Sequence, residues 1–162
     1  MIKTAERREL IARFRDFYSD LGESNLTALD DIYIKDLTFK DPVQLVQGRD
    51  NLLRYLDHGL VNASHCKFAI EIEMLDREQA FLVWQMRLQH EKLAGGREIQ
   101  VPGTSHLLFA EESNLIKEHV DYYDLGAMVY EHVPVLGWVI NKVRTKMGAH
   151  EYFNYGRKLR NR

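Results

Sequence analysis

Residues 68–89 read FAIEIEMLDREQAFLVWQMRLQ, and this stretch decides the fold class. Apolar residues occupy every second position in two runs, from Phe68 to Met74 and from Leu82 to Leu88. Polar or small residues fill most of the positions between them. This period of two, with one apolar face, predicts antiparallel strands of a sheet that is covered on one side.

Two more strands are predicted downstream. The glycine-containing loop from Lys92 to Arg97 predicts a hairpin that leads into a strand from Ile99 to Ala110. Pro102 and Gly103 inside that strand predict a bulge or a sharp bend. Asn114 precedes the last strand, in which Ile116, Val120 and Tyr122 are assigned to the apolar face.

Helices are predicted upstream of the strands. Residues 5–22 carry apolar side chains at helical spacing, and Asn25 or Ser24 is suited to cap a second helix that runs through Leu26 to Tyr33. A third helix is predicted over Arg49 to Asp57, after a short extended piece that Pro42 ends. Three helices followed by four long strands predict an α+β domain, in which a curved sheet and the helices enclose a cavity.

Composition excludes several classes of protein. The chain of 162 residues is 45% hydrophobic with a net charge of −2, which argues against disorder and against a nucleic-acid partner. No apolar run reaches the ~20 residues of a membrane span, and the N-terminus lacks the apolar core of a secretory signal. The only cysteine is Cys66, and histidines with metal-site spacing are missing, so no metal site and no cofactor are predicted. A cytoplasmic location is expected.

The C-terminal segment differs from the rest of the chain. Residues 126–162 carry seven Lys and Arg against two Asp and Glu, so the sequence predicts a pocket domain over residues 1–125 and a basic, amphipathic helical tail over 126–162. Pro134 interrupts its opening helical segment, and the apolar residues from Leu136 to Met147 recur at helical spacing. Docking of the tail on its own domain or on a dimer mate is favoured over peripheral contact with a membrane, because its apolar face is short.

Three motifs carry a resemblance to a known family. Residues 32–42 read IYIKDLTFKDP, Gln47-Gly48-Arg49 follows, and residues 114–124 read NLIKEHVDYYD. In this order and spacing they resemble the nuclear transport factor 2-like superfamily, which includes SnoaL-like and ketosteroid-isomerase-like domains. The resemblance covers roughly residues 5–125 and implies a cone of three helices wrapped by a strongly curved antiparallel sheet. It also implies a pocket at the open end and a homodimer through the outer sheet face.

Ketosteroid isomerases of this superfamily permit a comparison by residue. Asp41 matches their general base, whereas Phe14 stands where they have an oxyanion-hole tyrosine and Ser105 where they have a protonated aspartate. Loss of one oxyanion donor typically costs ~100- to 1000-fold in rate. We therefore expect weak steroid isomerisation, unless another tyrosine such as Tyr18 compensates.

The alternation of faces predicts which residues line the cavity. The candidate catalytic residue is Asp41, whose competing role is to cap the turn at Pro42. The expected ligand-pocket residues are Phe14, Tyr18, Tyr33, Phe39, Tyr55, Trp84, Met86, Ser105, Val120 and Tyr122. The expected outward-facing residues are Val83, Gln85, Arg87, His106, Leu108, His119, Asp121 and Tyr123.

These features support three hypotheses about function. The leading one is a small-molecule pocket protein that binds an apolar or lipid-like ligand. The alternatives are an isomerase, cyclase or dehydratase that uses Asp41 as general base, and a non-catalytic dimerisation module. A cavity that is too small or blocked by side chains would argue against the first.

Overall fold

The computed structural model describes residues 2–22 and 26–148, without the side chains of residues 2 and 3. The chain divides into two compact units, Met1–Leu125 and Gly126–Arg162. The two residues proposed as helix caps, Ser24 and Asn25, and the tail beyond Gly148 lie outside the described residues.

The first unit is built from helices and a six-stranded sheet. The helices are α1 (Ile2–Ser19) and α2 (Arg49–Leu60). The strands are β1 (Tyr33–Lys40), β2 (Leu45–Gln47), β3 (Ala63–Leu75), β4 (Gln79–His90), β5 (Glu98–Phe109) and β6 (Ile116–Tyr123). Their order across the sheet is β2-β1-β6-β5-β4-β3. The predicted α+β cone is confirmed.

The sheet departs from the prediction in two ways. The predicted second helix is a 3-10 helix of six residues, Leu26–Asp31, and Tyr33 begins β1 instead. Aromatic and β-branched residues at 32–34 favour an extended chain. β1 then pairs in parallel with β6, so the sheet is mixed. Neither β1 at its full length nor β2 was predicted as a sheet strand.

Pairing between β4 and β5 runs without interruption from Gln79 opposite Leu108 to Gln89 opposite Glu98. Of the two predicted alternatives at Pro102 and Gly103, a bulge or a sharp bend, the bulge is therefore wrong. Gly103 is instead a site of close approach, because a Cβ atom there would overlap the indole ring of Trp84. Glycine lets the largest side chain of β4 lie flat over its neighbouring strand.

The core lies between the helices and the inner face of the sheet. α1 contributes a buried apolar stripe that includes Leu10, Ile11, Phe14, Phe17 and Tyr18. The Leu21 N–H after this helix donates to the Cys66 carbonyl in β3 over 2.8 Å. α2 begins after Gly48, whose φ of 85° lies in the left-handed region that favours glycine. The Gly48 N–H donates to the Leu37 carbonyl in β1 over 2.8 Å, so each helix has a backbone contact with the sheet next to one of its ends.

The second unit has short helical segments. α3 (Leu125–Met128) starts at the unit boundary, a 3-10 helix covers Tyr130–His132, and α4 spans Leu136–Met147. Arg144 pairs with Glu131, and the Lys142 ammonium lies 4.0 Å from the centroid of the Trp138 ring. Several apolar side chains of this unit stay exposed, among them Val135, Leu136, Val139, Val143 and Met147. None of the helices in the described part of the chain is long and apolar enough to cross a membrane.

Candidate functional site

An irregularity in β6 decides which side chains face the interior. Leu108 pairs with Glu118 and Phe109 with Ile116, so one extra residue of β6 interrupts the ladder with β5. The apolar side chain of Ile116 points inward, and His119 is the next fully buried residue, at 1% exposure. One extra residue exchanges the faces for the rest of a strand.

This exchange corrects five placements made from alternation. His119, Asp121 and Tyr123 were expected on the outer face, but their side chains contact interior residues. Val120 and Tyr122 were expected in the cavity, but Val120 pairs with outward-facing His106 and Tyr122 is 60% exposed. The cause is the extra residue, since the prediction let Ile116, Val120 and Tyr122 share one face.

A small cavity lies on the concave side of the sheet. Its volume is about 10 Å³, which is room for about one water molecule. The residues that line it are Phe14, Tyr18, Phe68, Ile70, Trp84, Ser105, His119 and Asp121. Four of these were predicted from the sequence, namely Phe14, Tyr18, Trp84 and Ser105. The walls are mostly apolar, and one carboxylate and one imidazole interrupt them.

His119 and Asp121 form a hydrogen-bonded pair at this cavity. His119 Nε2 lies 2.7 Å from Asp121 Oδ1 and 3.2 Å from Ser105 Oγ. The Ser105 hydroxyl donates to the same Oδ1 over 2.5 Å, and Trp84 Nε1–H donates to Ser105 Oγ over 2.8 Å. The other carboxylate oxygen, Asp121 Oδ2, accepts no hydrogen bond from the residues that the structure describes. Among the described residues, Oδ2 is therefore the oxygen of Asp121 that keeps its capacity to accept a hydrogen bond.

Two tyrosines extend the network on the other side of the imidazole. The Tyr33 hydroxyl lies 2.8 Å from His119 Nδ1, and the hydroxyls of Tyr18 and Tyr33 are 2.9 Å apart. Desolvation raises the pKa of Tyr18 and of Tyr33 well above the usual value for tyrosine. Both hydroxyls therefore keep their protons at ordinary pH. Tyr33 is fully buried and stands behind the cavity, whereas Tyr18 borders it.

Asp41 lies outside this cavity, in a turn after β1. Its Oδ1 accepts the backbone N–H groups of Val43 and Gln44 over 2.8 and 2.9 Å, and its Oδ2 accepts the hydroxyls of Tyr55 and Tyr123. This is the turn-capping geometry that competed with the catalytic role. Desolvation, followed by the contact with Asp41, raises the pKa of Tyr55; the same two causes raise that of Tyr123.

The remaining predicted residues do not line the cavity. Phe39 is buried with its ring 5.0 Å from that of His119, and Met86 is buried in the inner face of β4. Tyr55 borders a surface groove of about 390 Å³ between β2 and α2. Within the described ranges, no group of His, Cys, Asp and Glu could hold a metal ion.

Sequence reasoning missed His119 and Asp121, although a signal for them was present. Lys117, Glu118 and His119 are three consecutive polar residues at the start of a predicted strand. Such a run breaks strict alternation, and a bulge is the usual way in which a strand accommodates it. Phe68 and Ile70 also belong to the lining, and their alternation in β3 had placed them on the apolar face.

The sequence matches the family of SnoaL-like domains over residues 14–119. None of the curated proteins compared matches the chain. Solved structures show the same fold, with TM-scores of 0.61 to 0.66 for the three described next.

A protein called "Putative SnoaL-like polyketide cyclase" from Jannaschia sp. CCS1 is 13% identical, with 77% of this chain and 90% of that one covered at a TM-score of 0.66. A protein of the same name from Shewanella denitrificans OS-217 is 19% identical, with 75% and 93% covered at a TM-score of 0.65. "AclR a putative hydroxylase" from Streptomyces galilaeus is 15% identical, with 77% and 93% covered at a TM-score of 0.61.

Proposed function

We propose, from the premise that this chain belongs to the family of SnoaL-like domains, that it binds a small, largely apolar carbonyl compound and moves a proton next to the carbonyl group. The SnoaL-like fold fits a ligand-binding or catalytic role. The observation that carries the proposal is the cavity-lining carboxylate of Asp121, with one oxygen held by His119 and Ser105 and the other open.

The proposed proton transfer follows from the different roles of the two carboxylate oxygens of Asp121. Oδ1 is fixed by two donors, so the carboxylate has one orientation. Oδ2 removes a proton from the carbon beside a carbonyl, and the C–H electron pair moves into the enolate while the carbonyl oxygen takes the negative charge. Return of the proton to another carbon completes an isomerisation. If the enolate carbon instead attacks a second carbonyl carbon of the same molecule, a ring forms, the C=O π electrons move to that oxygen, and the oxygen takes the proton back from Asp121.

The apolar walls support the same chemistry. Phe14, Phe68 and Ile70 exclude water, which strengthens electrostatic interactions between the pair and a bound molecule. His119 donates its Nε2–H to Asp121 Oδ1, which holds the carboxylate in place while Oδ2 takes up the proton. Two of the similar structures carry the name polyketide cyclase, and ring closure is one outcome of the proton removal proposed for this chain.

The volume of the cavity restricts how a ligand enters. Room for about one water molecule does not hold a substrate, so lining side chains must move when a ligand binds. Phe68 and Ile70 are suited to move, because they lie on β3 at the edge of the sheet and are only half-buried. Binding is thus expected to displace these two side chains first.

The experiment is hydrogen–deuterium exchange into 2-tetralone, an apolar ketone, followed by proton NMR in D2O. We expect the wild type to accelerate loss of the α-proton signals, and Asp121→Asn to reduce that acceleration by about 100-fold or more. No acceleration by the wild type, or full acceleration by Asp121→Asn, contradicts the proposal.

Two matched controls replace a different aspartate with asparagine. Asp36→Asn changes an exposed carboxylate on β1 and should leave exchange unchanged. Asp41→Asn tests the base that the sequence suggested, and it should retain the wild-type rate at a temperature where the variant is folded. Loss of exchange in Asp41→Asn alone would return the catalytic role to Asp41.

A domain without chemistry is the second candidate, and the small cavity favours it. The Trp84 indole, 2% exposed, fills the space over Gly103, and Tyr33 is fully buried. Such a domain would act through self-association alone. It predicts no exchange with any ketone and no change in the NMR spectrum of the cavity residues when 2-tetralone is added.

A further inference from the structure

A chain of hydrogen bonds runs from Tyr18, which lines the cavity, to the carboxylate of Asp121. It passes through the Tyr18 hydroxyl, the Tyr33 hydroxyl and both nitrogens of His119, in steps of 2.9, 2.8 and 2.7 Å. Tyr33 and His119 are 0% and 1% exposed, so water does not interrupt the chain at these two positions.

The direction of each hydrogen bond in the resting state follows from the count of protons. Asp121 Oδ1 is an acceptor and already receives the Ser105 hydroxyl, so His119 Nε2 must carry a hydrogen. A neutral imidazole then has a bare Nδ1, which accepts from the Tyr33 hydroxyl. Tyr33 has no second hydrogen, so Tyr18 donates to Tyr33 and presents only its oxygen lone pair to the cavity.

One added proton on the imidazole reverses this order. Once Nδ1 carries a hydrogen, it donates to the Tyr33 oxygen, and the Tyr33 hydrogen must turn to the Tyr18 oxygen. The Tyr18 hydrogen is then free, and Tyr18 lines the cavity. The same hydroxyl that was an acceptor has become a donor.

We infer that Tyr33 is a positioning residue, which links the protonation of His119 to the direction of the Tyr18 hydroxyl and so presents a donor to the oxygen of a bound carbonyl compound. This inference rests on the proposed function. When both nitrogens of His119 are protonated before the ligand binds, Tyr18 already presents its hydrogen to the cavity, and it donates to the enolate oxygen that forms as Asp121 Oδ2 takes the proton from carbon. The Tyr18 hydroxyl thereby supplies a hydrogen-bond donor to the cavity, which the side chain of Phe14 cannot do.

Among the described residues, His119 contacts both titratable and non-titratable side chains. The titratable ones are Asp121 on β6, Tyr33 on β1 and Tyr18 on α1. Its other neighbours on α1, β1 and β5 are Phe14, Phe39 and Ser105, which do not titrate. Burial raises the pKa of both tyrosines, so they act as neutral hydroxyls throughout.

The test is a pH titration of the full chain by side-chain ¹H–¹⁵N NMR, with the His119 signals assigned from their absence in His119→Gln. At high pH the wild type should carry the proton on Nε2, and both nitrogens should be protonated at low pH. In Tyr18→Phe the protonated state leaves the buried Tyr33 hydrogen without an acceptor. His119 should then take up its second proton about one pH unit lower than in the wild type.

Tyr55→Phe is the matched control, because it removes a hydroxyl from the Asp41 turn and should leave the His119 titration unchanged. Coincident titrations of Tyr18→Phe and wild type overturn the inference, and so does an equal shift in Tyr55→Phe. A neutral His119 that carries its proton on Nδ1 overturns it in the wild type alone, without any variant. The titration needs no substrate, so its outcome is separate from the outcome of the ketone exchange.

Discussion

At the scale of single residues, two aspartates, Asp41 and Asp121, differ in how many of their carboxylate oxygens already accept hydrogen bonds. Both carboxylate oxygens of Asp41 accept hydrogen bonds, four in all, and two of the donors are backbone N–H groups of its own turn. Asp121 accepts from two donors on one oxygen and keeps the other open. A carboxylate can take a proton from a ligand only through an oxygen that the protein leaves free. The hydrogen bonds thus distinguish a carboxylate whose two oxygens are both occupied from one that keeps an oxygen free among the described residues.

Substitution of Asp41 should therefore affect stability. Asp41→Ala removes the acceptor of four hydrogen bonds and should lower the free energy of unfolding by about 2–3 kcal/mol. Asp41→Asn keeps an oxygen for the two backbone donors and should cost about 1 kcal/mol. Chemical denaturation measures both values, and an Asp41→Ala variant as stable as the wild type would contradict the capping role.

The buried thiol and phenols predict loss of stability in alkali. Burial raises the pKa of the Cys66 thiol from 9.0 to about 12, and that of the four tyrosines Tyr18, Tyr33, Tyr55 and Tyr123 above 10.0. The native chain thus holds these protons to higher pH than the unfolded chain does. Stability is complete below about pH 9 and falls above it, by up to about 1.4 kcal/mol per pH unit for each group.

Denaturation curves at pH 8, 9, 10 and 11 measure this decline. Cys66→Ala should delay its start to about pH 10, where the tyrosines begin to contribute. A decline that starts at the same pH in both proteins would show that the thiol contributes nothing.

At the scale of elements, the sequence predicts which side chains of β4 and β5 face the core. For β6 it predicts the strand but not the face that each side chain takes. Strict alternation in β4 placed Trp84 and Met86 on the buried face, because no residue interrupts its pairing with β5. In β6 the single extra residue near Lys117 and Glu118 exchanges the two faces. Hydrophobicity alone does not reveal it, since Val120 and Tyr122 would suit either face. The site was missed for this reason, although the fold that carries it was predicted.

The close approach of β4 and β5 at Gly103 predicts that a larger residue at this position destabilises the protein. Gly103→Ala places a methyl group inside the Trp84 ring, so the ring must move and its hydrogen bond to Ser105 is lost. We expect a cost of about 1–3 kcal/mol, as for other overpacked cores. Tryptophan fluorescence in a Trp138→Phe background, which leaves Trp84 as the only tryptophan, should shift in Gly103→Ala.

Gly59→Ala is the control for this substitution. Its Cβ atom would meet nothing within 4 Å, and the residue lies in α2, where alanine is the better helix former. Unchanged stability and emission in Gly103→Ala would contradict the packing described.

At the scale of the whole molecule, the outer face of the sheet carries two apolar rows. Registration across four strands aligns Met74, Phe81, His106 and Val120 in one row and Ile72, Val83, Thr104 and Tyr122 in the other. Met74, Ile72 and Tyr122 are 66%, 54% and 60% exposed. The exchange of faces in β6 strengthens this surface, because it moves Tyr122 and Val120 outward and His119 inward. An apolar surface of this kind favours burial against a partner.

We therefore predict a homodimer through these two rows. Phe81→Lys puts a charge at the centre of the first row, where its ring stacks 4.2 Å from His106, and should convert dimer to monomer without unfolding the domain. Gln100→Lys introduces the same charge at an exposed position outside both rows, on the same strand as His106, and should remain dimeric. Sedimentation equilibrium at micromolar concentration separates the two outcomes. A wild type that sediments as a monomer contradicts this interface. A Phe81→Lys variant that stays dimeric contradicts it as well, because the free energy needed to bury an unpaired lysine there would exceed the free energy gained from the contact.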